Sequence, residues 1–258
     1  MWAVELGSFP EADDRLLLAA LRKQSIPFLT FRGHEFRQHE DLLRNMHVPR
    51  GSCWFVATAS NLERFRADWW GLPGNFDCSA YYTRYGQVLL NYRHHLLRLS
   101  ELCWNADAVI AEWGDADGNI FVRPNSGFQP FKGKVVHRAA IGDWCEARAK
   151  TYVPSDTLVV VACPQAITQE WRAVVVDGRV VAAGDYGKSY QAELPYEGVA
   201  AIEDAIGAAD NPFRACVVDV VATSVGWQIV EVGSMLCCSW YEANYDAIVT
   251  AIQQLMQT

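Results

Sequence analysis

Two carboxylates sit inside apolar runs towards the end of the chain: Asp219 in ACVVDVVA and Glu231 in WQIVEV. An acid flanked by valines reads as one position of a β-strand, and Gly226 between the runs reads as a hairpin turn. With a three-residue loop, Ser224-Val225-Gly226, position 223 pairs with 227 and Asp219 falls opposite Glu231, both on one face. An even-numbered loop would send them to opposite faces. Adjacent carboxylates repel, and Mg²⁺ is a natural compensation, because it takes one or two protein carboxylates together with phosphate oxygens. The plain alternative is a solvent-facing strand that carries two acids.

Two further groups place charge where phosphates are commonly held. Arg123 ends the run Asn119–Arg123 and is followed by the loop Pro124–Gly133 (PNSGFQPFKG) and Lys134. A cation at a strand end beside a Gly-bearing loop, with Lys132 and Lys134 nearby, can hold and cover phosphates. An ordinary hairpin with a solvated basic tip has the same sequence. In Gln169-Glu170-Trp171-Arg172, Glu170 and Arg172 alternate with Trp171 and point the same way in a strand. An arginine facing a phosphate and steadied by a glutamate fits this pair, with Lys188 following the next strand. A surface ion pair, worth little, fits it too.

Other signatures are missing. There is no GxxxxGK[ST], GxGxxG or HExxH, and Ser126 and Ser189 lie outside GxSxG elbows. His94 and His95 are adjacent, so on a helix they face different ways. The 8 cysteines form no CxxC or metal spacing. Cys237-Cys238 reads as a pair of small buried hydrophobes.

The elements that must position these groups are of two styles. Residues 11–24 read as a helix with acids in its first turn and bases in its last. Ile26–Phe31 and Cys53–Thr58 read as strands, and a helix follows from about Asn61 to Trp69. This rhythm suggests an α/β lobe. Gly71–Gly86 reads as loop, and Leu89–Trp104 has helical spacing of leucines. After residue 116 the pattern turns to hairpins: Asn119–Arg123 with Lys134–His137, then Thr157–Ala162, then Trp171–Val176 and Arg179–Ala183 around Asp177-Gly178, where a tight turn needs positive φ twice. Ala215–Ala222 and Trp227–Val232 form the last hairpin. Helices are expected at Glu197–Ala209 and Tyr241–Met256. Hairpins with helices set apart mean α+β.

Composition excludes several classes. In 258 residues, 51% hydrophobic and 20% charged, there is ample core material. No window approaches the roughly 18 uninterrupted apolar residues of a membrane span, and Met1–Pro10 lacks the features of a signal peptide. Reduced thiols in the cytoplasm are therefore the expectation. Residues 1–100 carry 12 Lys+Arg and 10 Asp+Glu, a balance of +2, and residues 101–258 carry 10 and 20, a balance of −10, which together give the net −8. That sign argues against a nucleic-acid binder.

Taken in order, FVRPNSGFQPFKGKVV (121–136), TLVVVACPQAITQEWRAVVVDGRVVAAGDYG (157–187) and CVVDVVATSVGWQIVEVGS (216–234) resemble the ATP-grasp superfamily, in particular the clade with arginine in place of the nucleotide-binding lysine. The resemblance implies an α+β fold in which two lobes grip ATP, here 116–258, preceded by an α/β lobe, here 1–115. It makes Arg123 the residue that reaches the phosphates and 124–133, with Lys132 and Lys134, the loop that covers them. Val160, Val161, Ala162 and Cys163 match the adenine-binding hinge. Glu170 and Arg172 match the E-x-R segment at the active-site wall, with Lys188 as a further cation. Asp219 and Glu231 match the Mg²⁺ ligands. The familiar Glu-x-Asn ending is here Glu231-Val232-Gly233, so a third ligand is missing from its expected position. The implied activity is ATP- and Mg²⁺-dependent ligation of a carboxylate to an amine, on small-molecule or peptide substrates. A phosphotransferase on the same fold, or a nucleotide-binding protein without turnover, stays open.

Overall fold

A computed structural model describes residues 2–7, 9–32, 54–56, 76–127, 129–151, 153–185, 193–208, 213–235, 238–241 and 243–257. The helix expected at 61–69 and the candidate Lys188 lie outside the described residues. The chain divides into two compact units: Met1–Gly74 with Gln169–Thr258, and Asn75–Thr168.

The first unit opens with β1 (Trp2–Leu6), α1 (Glu11–Lys23) and β2 (Phe28–Arg32), a βαβ unit with parallel strands. β3 (Trp54–Val56) pairs with the other edge of β1. This is the α/β character expected of the N-terminal part, although β1 is not among the expected strands. Helix α1 carries Glu11, Asp13 and Asp14 in its first turn and Arg22 and Lys23 in its last, matching the helix dipole. It buries Leu17, Ala20 and Leu21.

This unit also holds an antiparallel sheet in the order β11-β10-β8-β9. Its strands are β8 (Gln169–Val176), β9 (Arg179–Asp185), β10 (Ala215–Thr223) and β11 (Gly226–Gly233). Asp177 and Gly178 turn the β8–β9 hairpin with φ of 44° and 78°, as the sequence requires. One face packs against the helix Tyr196–Ala208. On the other face Val174, Val176, Ala215 and Val217 share a core with β1, α1 and the last helix, Tyr245–Leu255. That helix starts later than its sequence suggests because the Asn244 side chain caps it, accepting from Ala247 N at 3.1 Å.

The second unit is built on the antiparallel sheet β4-β7-β5-β6: β4 (His95–Arg98), β5 (Asn119–Pro124), β6 (Lys134–His137) and β7 (Leu158–Ala162). Its other elements, in chain order, are α2 (Cys78–Tyr85), α3 (Leu99–Trp104), α4 (Ala106–Trp113) and α5 (Ile141–Lys150), which makes Tyr196–Ala208 α6 and Tyr245–Leu255 α7. Ile120, Val122, Val159 and Val161 face a core completed by Leu102, Ile110 and Trp144 from the helices.

Four sequence expectations change here. The boundary between units does not fall at 115/116: β4 pairs with β7, and α3 and α4 share the β5 core, so residues 75–115 belong with 116–168. Leu89–Trp104 is not one helix, because pairing with β7 draws His95–Arg98 into a strand. The segment read as loop contains α2, which buries Tyr81, Tyr82 and Tyr85 on one face. Its start is held by Asn125, whose backbone oxygen accepts from Cys78 N and whose side chain accepts from Ser79 N, both at 2.8 Å. The thiols are not all reduced. α3 and α5 bring Cys103 and Cys145 to a Cα–Cα distance of 6.0 Å, within disulfide geometry, and they are bonded.

Candidate functional site

The strands of the first unit place four candidate residues on one sheet face. Pairing sets Asp219 opposite Arg172 on one side and opposite Glu231 on the other, and Glu170 opposite Val221, two positions along the same face. The Asp219–Glu231 pairing is the expected one, reached by a different route. The loop is the two residues Ser224-Val225, with Thr223 paired to Gly226. A β-bulge follows: Val220 pairs with Ile229 and Asp219 with Glu231, so Val230 is the extra residue.

Arg172 is steadied by Asp219, not by Glu170. Its Nε and Nη2 each donate to Asp219 at 2.7 Å, a bidentate pair with Asp219 3% and Arg172 8% exposed. Burial works against the arginine's charge, but Asp219 outweighs it and holds the guanidinium pKa well above its ordinary value. Glu170 has no share in that bidentate bond. Burial, then the charge of Asp219, then that of Glu231 push its carboxyl up to about 7, with Arg172 opposing.

Sequence reasoning missed what stands behind Arg172. Its Nη1 donates to the Ser239 carbonyl at 3.2 Å, and its guanidinium lies 5.0 Å from the centre of the Tyr241 ring. The Ser239 hydroxyl in turn donates to buried Asp13 on α1. The segment 238–241 is short, aromatic and irregular, and carries no motif.

The second unit holds the remaining candidates. Arg123 is 4% exposed, shares a face of β5 with Phe121, and pairs with Val160 on β7. Val160 and Ala162 lie on that face with it, whereas Val161 turns into the core and offers only its backbone. Gly133 comes close to the same face: a Cβ there would meet Phe121 at 3.0 Å and the Arg123 Cβ at 3.3 Å. Lys132 is exposed. Lys134 pairs with Val122 and so projects from the face opposite Arg123. The Cys163 carbonyl accepts from the Gln165 side chain at 3.2 Å.

Hard oxygen donors carrying two negative charges suit Mg²⁺. Asp219 and Glu231 supply them from adjacent strands, and a carboxylate has about four lone-pair sites, so Asp219 keeps some after Arg172 is bound. Beside them is Gly233, where a Cβ would lie 3.8 Å from Glu231 Oε1 and 3.3 Å from Val217 Cγ2. Among the described residues no three His, Cys, Asp or Glu converge on one point. An ion there depends on oxygens from elsewhere, as it does when phosphates complete its shell. Among the same residues no helix is long and apolar enough to cross a membrane.

A family model described as an ATP-grasp domain, family 3 of the R-to-K clade, matches residues 73–252. Among solved structures, the chain is similar to the D-cycloserine synthetase DcsG, with a TM-score of 0.67 at 14% identity over 99% of both chains. It is similar to a RimK domain ATP-grasp protein from Sphaerobacter thermophilus, with a TM-score of 0.59 at 16% identity over 96% of this chain and 98% of that one. It is also similar to a D-alanine–D-alanine ligase from Bacillus anthracis, with a TM-score of 0.57 at 14% identity over 99% and 98%. No curated protein sequence matches the chain.

Proposed function

This chain belongs to the ATP-grasp domains, in family 3 of the R-to-K clade, and on that premise we propose that it is an ATP- and Mg²⁺-dependent ligase. It would join a carboxylate, on a small molecule or a peptide, to an amine or similar nucleophile through an acylphosphate. The observation that carries the reading is the convergence of Arg172, Asp219 and Glu231 on one sheet face. A carboxylate resists attack because it is anionic and lacks a leaving group. Transfer of the γ-phosphoryl group to it supplies one, and the amine then displaces phosphate. Catalysis of this kind is mostly positioning and neutralisation of charge.

In this reading Arg123 binds nucleotide phosphates from the floor of its sheet, while Val160, Ala162 and the backbone through Cys163 hold the base. Lys132 caps the phosphates from the 124–133 loop. Lys134 faces away from Arg123 and is the weakest of the sequence candidates. Asp219 and Glu231 would hold Mg²⁺, which when bound supplies charge neutralisation at the β and γ phosphates. Arg172, with Lys188 as a further cation, stabilises the transferring phosphoryl group. Glu170 tunes the electrostatics beside it. Gly233 favours one second reading, a nucleotide-binding protein without turnover, because the position of the familiar third ligand has no side chain.

The experiment is thermal unfolding with and without Mg-ATP, on the native chain and on Asp219→Asn with Glu231→Gln. Ligand at about a hundred times its dissociation constant stabilises by about 2.7 kcal/mol. A shift in the native chain that the double variant loses supports the site. No shift at millimolar Mg-ATP, with the protein folded, refutes it. Nucleotide binding without ADP release across many carboxylate and amine pairs favours the second reading.

A further inference from the structure

We infer that the segment Ser239–Tyr241 is the positioning element of Arg172, a backstop that fixes the plane of its guanidinium and so the directions of its N–H groups. The inference rests on the ligase reading above for what Arg172 faces, but the backstop itself is visible in the fold.

Several observations carry it. The Ser239 carbonyl accepts from Nη1 at 3.2 Å, and the Tyr241 ring covers the guanidinium at 5.0 Å. Tyr241 adopts φ of 48°, a conformation uncommon for a non-glycine residue and found where surroundings enforce it. Against this segment lies Gly184, the cross-strand partner of Arg172 on β9, on which a Cβ would meet the Tyr241 carbonyl at 2.5 Å and the Trp240 carbonyl at 3.0 Å. The missing side chain lets the 240–241 backbone lie on the sheet directly beside Arg172. The segment is also tied down at its near end. Ser239 Oγ accepts from Tyr241 N at 3.3 Å and donates to Asp13, which is 6% exposed.

The consequence follows from the shape of the side chain. A guanidinium carries about five N–H groups in a rigid, planar fork. Asp219 engages Nε and Nη2 along one edge, and Ser239 engages Nη1. Three hydrogen bonds and a ring over the group leave the fork one orientation, and every N–H direction is set with it. An arginine held in this way loses little freedom on engaging a phosphate. Tyr241 and Ser239 therefore act through Arg172 and set its selectivity for a nucleotide that carries the transferable phosphate.

The test compares binding of Mg-ADP and of Mg²⁺ with a non-hydrolysable ATP analogue by calorimetry on the full chain. Tyr241→Phe keeps the ring over Arg172 and should keep the native preference for the analogue. Tyr241→Leu should lower that preference about tenfold while ADP affinity stays unchanged, and Arg172→Lys should lower the preference as well. A preference retained in Tyr241→Leu and lost in Arg172→Lys overturns the inference. If the native chain binds neither nucleotide, the ligase reading fails, and the backstop is judged by solvent exchange of the Arg172 Nε–H in an NMR spectrum. That exchange should be slow in the native chain and in Tyr241→Phe and about tenfold faster in Tyr241→Leu. Equal exchange in all three overturns the inference on its own terms.

Discussion

Glu170→Gln should stabilise the protein at neutral and higher pH and do nothing in acid. In the native fold, burial and the neighbouring charges of Asp219 and Glu231 raise the Glu170 carboxyl from 4.5 to about 7. Below the lower value the carboxyl is protonated in both folded and unfolded chains and costs nothing. Between the two values the folded chain binds more protons, so stability falls as pH rises, and above the upper value the whole cost is present. A displacement of that size corresponds to about 3 kcal/mol, and screening by the solvent that reaches Glu170 reduces this to about 1–2 kcal/mol. The amide that replaces the carboxyl carries no charge at any of these pH values. The assay is urea unfolding of both chains, with midpoints and slopes taken from about pH 4 to pH 8. The variant should match the native chain at the acid end and exceed it by about 1–2 kcal/mol at the other. A difference that does not vary with pH, or one that grows towards acid, refutes the electrostatic account of this face. Added Mg²⁺ at the upper pH should narrow the gap, because it offsets the same repulsion.

Arg172→Ala leaves the Asp219 carboxylate buried without its bidentate partner and should cost about 3–5 kcal/mol in urea unfolding. Arg172→Met with Asp219→Leu should recover most of that loss, and failure to recover it would mean the pair is net stabilising. Gly233→Asn places a Cβ 3.3 Å from Val217 Cγ2, which a small shift relieves at about 1 kcal/mol. Calorimetry should show tighter Mg²⁺ binding in that variant, and unchanged binding would show that position 233 does not reach the ion. Cys103→Ser with Cys145→Ser opens a link across 42 residues, for which chain entropy gives about 4 kcal/mol, so an unchanged urea midpoint would deny the bond. Deleting Val230 removes the extra residue of the bulge and should leave Asp219 opposite Glu231, so Mg-ATP should still raise the melting temperature.

Hairpins were the legible part of the fold, because their signals are local. Asp177-Gly178 dictates its own turn, and valine-rich apolar runs mark β8, β10 and β11. Elements that depend on distant partners were not legible. His95–Arg98 has the leucine spacing of a helix and becomes a strand only because β7 lies alongside it. The tyrosines of α2 sit among Gly and Asn, and the helix starts where Asn125, far along the chain, meets its first turn. The disulfide is of the same kind, since nothing near Cys103 or Cys145 announces that α3 and α5 are neighbours. In the site, Asp219 with Glu231, and Glu170 with Arg172, were readable as two separate pairs, and strand pairing brings the pairs to one face. The partner of Arg172 was not readable, because Glu170 is near it in sequence while Asp219 is reached through strand pairing.

The bulge shows how packing, and not the turn, sets the register of the carboxylates. Had the hairpin used a three-residue loop, Trp227 would pair with Thr223 and stand on the same face as Asp219. It pairs instead with Ala222, on the opposite face, where its ring centre lies 5.3 Å from that of Trp171 and near α6 at Gly198. Ile229 follows it into that core and is 2% exposed. Burial of two large side chains outweighs the choice between two short loops, since each contributes about 1.5–3 kcal/mol. Trp227, Ile229 and Glu231 are all odd-numbered, however, and strict alternation would put the carboxylate in the apolar core with the other two. Burying an unpaired charge costs more than a bulge, so the strand slips by one residue at Val230. The slip is written in the sequence as two consecutive apolar residues, Ile229-Val230, in an otherwise alternating run. The slip that leaves Trp227 and Ile229 packed against α6 therefore turns Glu231 towards Asp219, and the acidic pair is a product of how the other side of the sheet is filled.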